Sequence, residues 1–257
     1  MSRSGEKTTT DVLIIGCGIG GSSAALELSQ NEELDITVIT EAEDPLETNT
    51  YYAQGGIIYR GQEDSPDLLA KDIVRAGAGI NNPQAVSVLI HDGPRLLQRL
   101  LLDELHVPFD ETPSEELEYT REAAHSTDRI LHAGDATGRA IQEKLIEALR
   151  GRTNVRVLSR HTAIDLLTPS HHSLNPMHIY QPATCVGAYV FDQKSQKVKA
   201  YLARKTILAT GGLGQVFLHT TNPQFAHGDG LAMAARAGAR IIHAEYVQFH
   251  PTAFYHR

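Results

Sequence analysis

Four glycines crowd into six positions, GCGIGG at 16–21, directly after the apolar β-forming run DVLII at 11–15. A stretch with helical spacing, SSAALELSQ, follows at once, and then the alternating run DITVIT, which ends at Thr40. Few folds accept that order. A buried strand that ends on a glycine turn, enters a helix and returns as a second strand is the opening unit of a nucleotide-binding α/β domain. Gly16, Gly18 and Gly21 have the G-x-G-x-x-G spacing, with Gly20 beside them. The first glycine permits the tight turn, the second lets backbone approach a pyrophosphate, and the third lets helix and strand pack closely. The phosphates would rest on the helix N-terminus, where N–H groups and the helix dipole favour an anion. The competing reading is a purely structural turn, and the flanking strand and helix weigh against it.

A ribose-binding acid is expected at the end of the second strand. Thr40 holds that place and Glu41 follows one residue late. Either side chain can meet the ribose of an adenosine; Glu41 can equally be a solvated loop charge. A second glycine signal lies far downstream, ILATGG at 207–212, where Thr210, Gly211 and Gly212 would bring backbone close to a cofactor without side-chain obstruction. Two such turns, one at each end of a long domain, fit FAD better than NAD.

Between these turns the pattern alternates in kind. Residues 67–79 and 84–105 read as helices. The second has an apolar stripe of Val86, Leu89, Ile90, Leu96, Leu97, Leu100 and Leu101, and Gly93-Pro94 is expected to bend or interrupt it. Residues 110–120 are acidic and polar, as in a surface loop. AIQEKLIEALR reads as a further helix. VRVLSR, TAIDLL, CVGAYVFD and KVKAYLARKTILAT read as strands, several of them antiparallel partners, with a long loop over 169–182. LAMAARAGARI reads as a helix, and AEYVQFHPTAFYHR as the start of a new extended element. The expected fold is α/β: a doubly wound, Rossmann-like FAD-binding domain with an inserted antiparallel β-element, plus the start of an α+β capping domain. The expected boundaries are a polar tail over 1–10, the first part of the FAD-binding domain over 11–243, and the start of the cap over 244–257.

The chain of 257 residues carries a formal net charge of −8, which repels nucleic-acid phosphates and anionic membrane, so neither is an expected partner. Cys17 and Cys185 are its two cysteines; far apart, they form no disulfide framework and no zinc pattern, which suits a reducing cytoplasm. The polar start MSRSGEKTTT is not a secretory signal, and no apolar run approaches the ~20 residues of a membrane span. His171, His172 and His178 lie in a loop without cysteine or paired carboxylates, so no metal site is expected.

The ordered set GCGIGG, NTYYAQGGI, ATGGLGQVF, TTNPQFAHGDGLAMAARAGA and EYVQFHPTAF resembles the succinate dehydrogenase/fumarate reductase flavoprotein superfamily, from about residue 11 to the last. Within it, REAAHSTDRILHAGDATG and HDGPRLLQRLLLDELHVPFD are similar to the L-aspartate oxidases. The dehydrogenase flavoproteins bond FAD covalently through a His in S-H-T before their AQGG. Here the triplet is Thr48-Asn49-Thr50, and Asn49 has no ring nitrogen to attack the flavin. The resemblance therefore implies non-covalent FAD.

The same resemblance implies roles. Thr50, Gln54, Gly55 and Gly56 lie against the isoalloxazine and pyrophosphate, with Tyr51, Tyr52 and Ala53 in the same cofactor segment. Asp229 in the GDG turn also meets the cofactor, and Ala163 presents backbone to the adenine. Glu122 sits near the substrate amino group, where a carboxylate pairs with an ammonium and repels a dicarboxylate lacking one. The alternative for Glu122 is a surface ion pair with Arg121 or Arg129. His250, in QFHPT, hydrogen-bonds a substrate carboxylate. His125 and His132 sit in the same stretch without a settled role.

The implied activity is oxidation of L-aspartate to iminoaspartate, with hydride passing to the flavin and oxygen or fumarate as final acceptor. Its place would be quinolinate and NAD synthesis, with handover of iminoaspartate to quinolinate synthase. Two other readings remain: a fumarate reductase or succinate dehydrogenase flavoprotein subunit, and a non-catalytic FAD-binding module. Members of the superfamily continue beyond the length of this chain, through the rest of the cap, a return to the FAD domain and a helical region that completes the substrate site.

Overall fold

In the computed structural model, residues 7–249 are described. The chain divides into two compact units, one made of Met1–Pro45 with Thr153–Arg257 and the other of Leu46–Arg152.

The first unit is built on a six-stranded sheet. Its strands are β1 (Lys7–Ile15), β2 (Ile36–Ile39), β5 (Val155–Leu158), β6 (His161–Leu166), β7 (Gly187–Asp192) and β8 (Lys197–Leu208), in the order β5-β2-β1-β8-β7-β6. The pairs β5–β2, β2–β1 and β1–β8 are parallel; β8–β7 and β7–β6 are antiparallel. This is the expected parallel nucleotide-binding sheet with an antiparallel extension. Strands in the middle of a parallel sheet are covered on both faces, so they need continuous apolar runs rather than alternation. Leu13, Ile14, Ile36 and Val38 meet that need and are fully buried. The helix α1 (Ile19–Ser29) links β1 to β2. One core cluster gathers Leu13, Ile15, Ile39, Ala188, Val190 and Met233.

Several expectations shift here. The strand β1 begins at Lys7, so residues 7–10 join the sheet instead of a tail. Thr10 is buried and its hydroxyl donates to the Asp35 carbonyl at 2.7 Å. The loop over 169–182 contains a short helix, α6 (Pro169–His172), and a 3-10 turn (Pro176–Tyr180), each started by a proline. The last helix, α7 (Asp229–Arg236), is displaced toward the N-terminus and ends early, because Gly238 turns left-handed at φ +87. Residues 244–249 form no strand; 250–257, with His250, lie outside the described residues.

The second unit holds α2 (Asn49–Tyr52), α3 (Pro66–Ala76), α4 (Pro83–Leu97), α5 (Thr137–Arg150) and a two-stranded antiparallel pair, β3 (Ile57–Ile58) with β4 (Ile130–Leu131). The starts of α3 and α4 are explicit in the chain. Ser65 accepts from the Leu68 N–H, Asn82 accepts from those of Gln84 and Ala85, and a proline follows each cap where its missing N–H costs nothing. Leu69, Val86 and Ile90 form a small core cluster. Pro94 does not interrupt α4. It lies on the buried stripe with Val86, Ile90, Leu97 and Leu101, while Leu89 and Leu96, expected on that stripe, are exposed. Packing on that face carries the helix through its one lost bond, and the winding widens only afterwards, as a π-helix over Gln98–Glu104. Among the described residues, no helix is long and apolar enough to cross a membrane.

Candidate functional site

In the first unit the ends of β1, β2 and β8 lie side by side, since Ile15 pairs with Ile39 on one side and Leu208 on the other. Ligands of open α/β sheets bind outside these carboxyl ends. The turn after β1 is held at both flanks: Gly16 N–H donates to Ile39 at 2.9 Å, and Ala209 N–H donates to Ile15 at 2.8 Å. Gly16 has φ +106, and a Cβ there would overlap the Ala209 carbonyl. A Cβ on Gly21 would overlap the Gly16 carbonyl. These two glycines are demanded by the fold itself.

Gly18 and Gly20 are different. Gly18 has φ −66, which any residue adopts, and it caps α1 without a side-chain bond to the helix N–H groups. A Cβ on Gly20 would meet nothing within 4 Å. Gly20 therefore leaves open space beside the helix N-terminus, into which a group can approach. That is the fit expected for a cofactor pyrophosphate.

The turn after β8 joins the same place. A Cβ on Gly230 would overlap the Thr210 hydroxyl, and one on Gly228 (φ +80) would lie 2.9 Å from Leu213 Cβ. The start of α7, with Asp229 in its first turn, is thereby pressed onto the segment that carries Thr210, Gly211 and Gly212.

The structure separates Thr40 from Glu41. Thr40 is buried, and its hydroxyl hydrogen-bonds the Cys17 thiol; burial pushes that thiol up in pKa, with the Thr40 contact opposing. Glu41 is half-buried. Burial raises its carboxyl, the nearby Asp229 raises it further, and His227 opposes. Glu41 is thus the side chain at the β2 end that stands with Asp229, and His227 joins them as a neighbour that the sequence reading missed. Ala163 on β6 pairs with Val190 just before a register irregularity and packs against the core cluster. The freed Ile164 carbonyl accepts from Arg236 at 3.1 Å.

In the second unit, Thr48 caps α2 by accepting from the Tyr51 N–H at 3.2 Å. The segment then docks on the start of α5. Gly138 donates to the Ala53 carbonyl at 3.0 Å, and a Cβ on Gly138 would overlap the Thr50 carbonyl. Arg139 stands over the Tyr51 ring at 5.6 Å. Asn49, Tyr52, Ala53, Gln54 and Gly55 are exposed.

Glu122 comes to the glycines of this segment. Its Oε1 accepts from the Gly56 N–H at 3.1 Å, and His132 Nε2 stands 3.2 Å from the same oxygen. A Cβ on Gly55 would lie 3.8 Å from Oε1 and 4.0 Å from Oε2. Neither arginine considered for it is its partner. Arg121 pairs with Asp128 at 3.5 Å. Arg129 is fully buried, 2.8 Å from Asp64 and 2.9 Å from Asp72.

That buried cluster fixes the loop carrying Glu122. Asp72 accepts from both the Ser126 N–H and hydroxyl at 2.8 Å, and Arg75 donates to the Ala124 carbonyl at 3.1 Å. Arg129 NH1 also lies 3.3 Å from His125 Nδ1; a guanidinium only donates, so Nδ1 accepts. Burial would raise the Asp72 carboxyl, but the Ser126 bonds and the Arg129 guanidinium outweigh it and hold it below the usual carboxylate range. The sequence reading missed this network. The signal available was Arg129 and two aspartates, Asp72 and Asp64, that precede it by 57 and 65 residues.

Residues 11–257 match the family described as FAD binding domain. The L-aspartate oxidase of Halobacterium salinarum is 41% identical over 249 residues, covering 97% of this chain and 47% of that protein. L-aspartate oxidase 1 of Ralstonia nicotianae is 40% identical, covering 96% and 45%. The chain thus spans about half the length of the curated relatives it matches. Among solved structures, a quinol fumarate reductase of E. coli superposes with TM-score 0.81 at 23% identity, over 90% of this chain and 37% of the other. The Mycobacterium smegmatis Sdh1 complex in its apo form superposes with TM-score 0.76 at 24% identity, over 90% and 39%. At such identities the likeness is one of fold. A family match that begins in the strand before the glycine turn, and the open space at Gly20 beside the start of α1, lead to the same conclusion: this chain belongs to the FAD binding domain family, and its cofactor is FAD.

Proposed function

We propose that the chain is the flavin-binding part of an L-aspartate oxidase. The observation that carries this is Glu122, a carboxylate held on the Gly56 N–H beside the bare edge of Gly55. Fixed negative charge there complements the ammonium of an amino acid and disfavours a dicarboxylate without one. Relatives named L-aspartate oxidase, about 40% identical over nearly the whole chain, support the reading.

The residues divide the work. In the first unit, Gly16, Gly18, Gly20 and Gly21 take the pyrophosphate, Glu41 the adenosine ribose, and Asp229 and Thr210–Gly212 approach the cofactor through backbone and short side chains. In the second unit, Thr50, Gln54, Gly55 and Gly56 are assigned to the flavin by resemblance, and Asn49 in place of a histidine leaves it without a covalent bond. When bound, FAD supplies the two-electron acceptor for the hydride leaving the aspartate α-carbon. Glu122 orients the substrate by its ammonium. His250, outside the described residues, is assigned a substrate carboxylate by resemblance. The product is iminoaspartate, with oxygen or fumarate as final acceptor. An imine hydrolyses readily in water, so handover to quinolinate synthase in NAD synthesis belongs to the same proposal. So does a cytoplasmic setting, supported by Cys17 and Cys185 standing as thiols outside any disulfide.

The test is Glu122→Gln in the FAD-loaded full-length protein. A charge-assisted contact contributes roughly 1.5–3 kcal/mol, so kcat/KM for aspartate should fall about ten- to a hundredfold. Fumarate reduction should hold or rise. A proportional fall in both activities assigns Glu122 to the scaffold. Unchanged aspartate oxidation, or wild-type turnover of succinate in preference to aspartate, overturns the reading.

A further inference from the structure

We propose that His132 is a positioning residue for substrate choice: it holds one oxygen of Glu122 so that the other is presented to the substrate ammonium. The inference rests on the reading of Glu122 given above.

The two oxygens of Glu122 are not equivalent. Oε1 takes the Gly56 N–H at 3.1 Å and has His132 Nε2 at 3.2 Å. Oε2 has no hydrogen bond or ion pair among the described residues. The Glu122 side chain is 45% exposed, whereas that of His132 is 22% exposed. The histidine is therefore the anchored member and the carboxylate the presented one.

Local structure explains the anchoring. Ile57 of β3 pairs with Leu131 of β4, so Gly56 and His132 flank the end of the same short ladder. A Cβ on Gly56 would lie 2.6 Å from His132 Nε2, so glycine at 56 is what lets the imidazole reach the carboxylate. The backbone of His132 is also tied down, its carbonyl accepting from Asp110 N–H at 2.7 Å. On the other side, the Asp72–Arg129–Ser126 cluster holds the loop after Glu122. A carboxylate on a surface loop ordinarily samples several rotamers, and each competes with the one that meets a ligand. Fastening Oε1 from two directions removes most of them.

The test uses four variants of the FAD-loaded full-length protein: His132→Leu, His132→Gln, Glu122→Gln and the double variant Glu122→Gln/His132→Leu. KM and kcat are read separately for aspartate, and the thermal midpoint is recorded for each. His132→Leu should raise the aspartate KM roughly three- to tenfold, the scale of one net hydrogen bond, with a smaller effect on kcat. His132→Gln, which keeps a donor at similar reach, should restore most of the loss. In the Glu122→Gln background, His132→Leu should add nothing, because the two residues act as one. The inference is overturned if Glu122→Gln raises KM but His132→Leu does not. It is equally overturned if the His132→Leu effect persists undiminished in the double variant, or if the Gln variant behaves as Leu does. If Glu122→Gln itself leaves KM unchanged, the reading of Glu122 falls first and takes this inference with it.

Discussion

Gly16 lies so close to the Ala209 carbonyl that any Cβ on it would overlap that group, whereas a Cβ on Gly20, four residues on, would meet nothing within 4 Å. The same glycine cluster thus contains residues that the fold requires and one that it does not, and variants can tell a fold role from the proposed ligand role. Gly16→Ala is expected to destabilise the protein by about 1–3 kcal/mol or more, from the positive φ together with the overlap. Gly20→Val should leave the thermal midpoint and circular dichroism nearly unchanged while weakening FAD binding at least about tenfold, ~1.4 kcal/mol, and Gly18→Val should likewise weaken FAD binding while much of the secondary structure survives. Fluorescence titration of the apoprotein with FAD decides it. Full flavin affinity in the Gly20 and Gly18 variants would make the whole turn structural.

Breaking the buried cluster should cost far more than breaking a surface pair. Arg129→Met leaves Asp64 and Asp72 buried without their cation, and removal of one partner from such a pair costs about 3–5 kcal/mol. Urea melts measure this. A loss near that of an exposed pair, ~0.5 kcal/mol, would show the cluster to be open to solvent.

The depressed Asp72 carboxyl also has a sign in pH. Its folded pKa lies below the unfolded value of about 3.9, so its contribution is fully present above that value and is lost as pH falls through the lower folded one. The stability gap between wild type and Asp72→Asn should therefore narrow steadily on acidification below about pH 4. Urea midpoints taken at intervals across that range check it. A gap that widens reverses the assignment.

Glu41 has the opposite bias. Burial and Asp229 raise its carboxyl, against His227. If Glu41 takes the ribose as proposed, a ribose hydroxyl donates to it more strongly when it is a carboxylate, so FAD binding favours the ionised form. Flavin affinity should fall as pH drops through the raised value, with proton release on binding in that window. Glu41→Gln should flatten the profile. Calorimetric titrations in buffers of different ionisation heat would reveal the protons, and equal slopes in wild type and variant would remove Glu41 from the site.

Asn49 opens α2 with an exposed amide in place of an imidazole. Acid precipitation of the flavin-loaded protein should release all of the yellow colour into the supernatant. Fluorescence remaining with the band on a denaturing gel would contradict it.

What could be read from the residues was whatever local chemistry determines. The β1-turn-α1-β2 unit was legible because glycine spacing and apolar runs fix it within thirty residues, and β7 and β8 because their β-forming runs leave no helical alternative. The choice between Thr40 and Glu41 was not, since it depends on the Cys17 thiol occupying the threonine. That α4 would run on through Pro94 without interruption was not legible, because a proline's cost is local while the packing that outweighs it is not. Arg129 looked like a surface charge; what buries it are Asp64 and Asp72, brought to it by α3 and the segment before it. The partner of Glu122 was hidden for the same reason, as His132 reaches it through the pairing of β3 with β4.

The pairing of β1 with β8 has a consequence in time. These neighbours in the sheet are separated by the whole of the second unit and by β5 to β7. During synthesis, β1 can find β2 within seconds of leaving the ribosome, at about 5–20 residues per second. Its other edge stays bare until β8 emerges, and only then does Ala209 close on Gly16. Until then the strand edge is a template for unwanted pairing with another chain, so the order of synthesis makes the middle of this sheet its most exposed part.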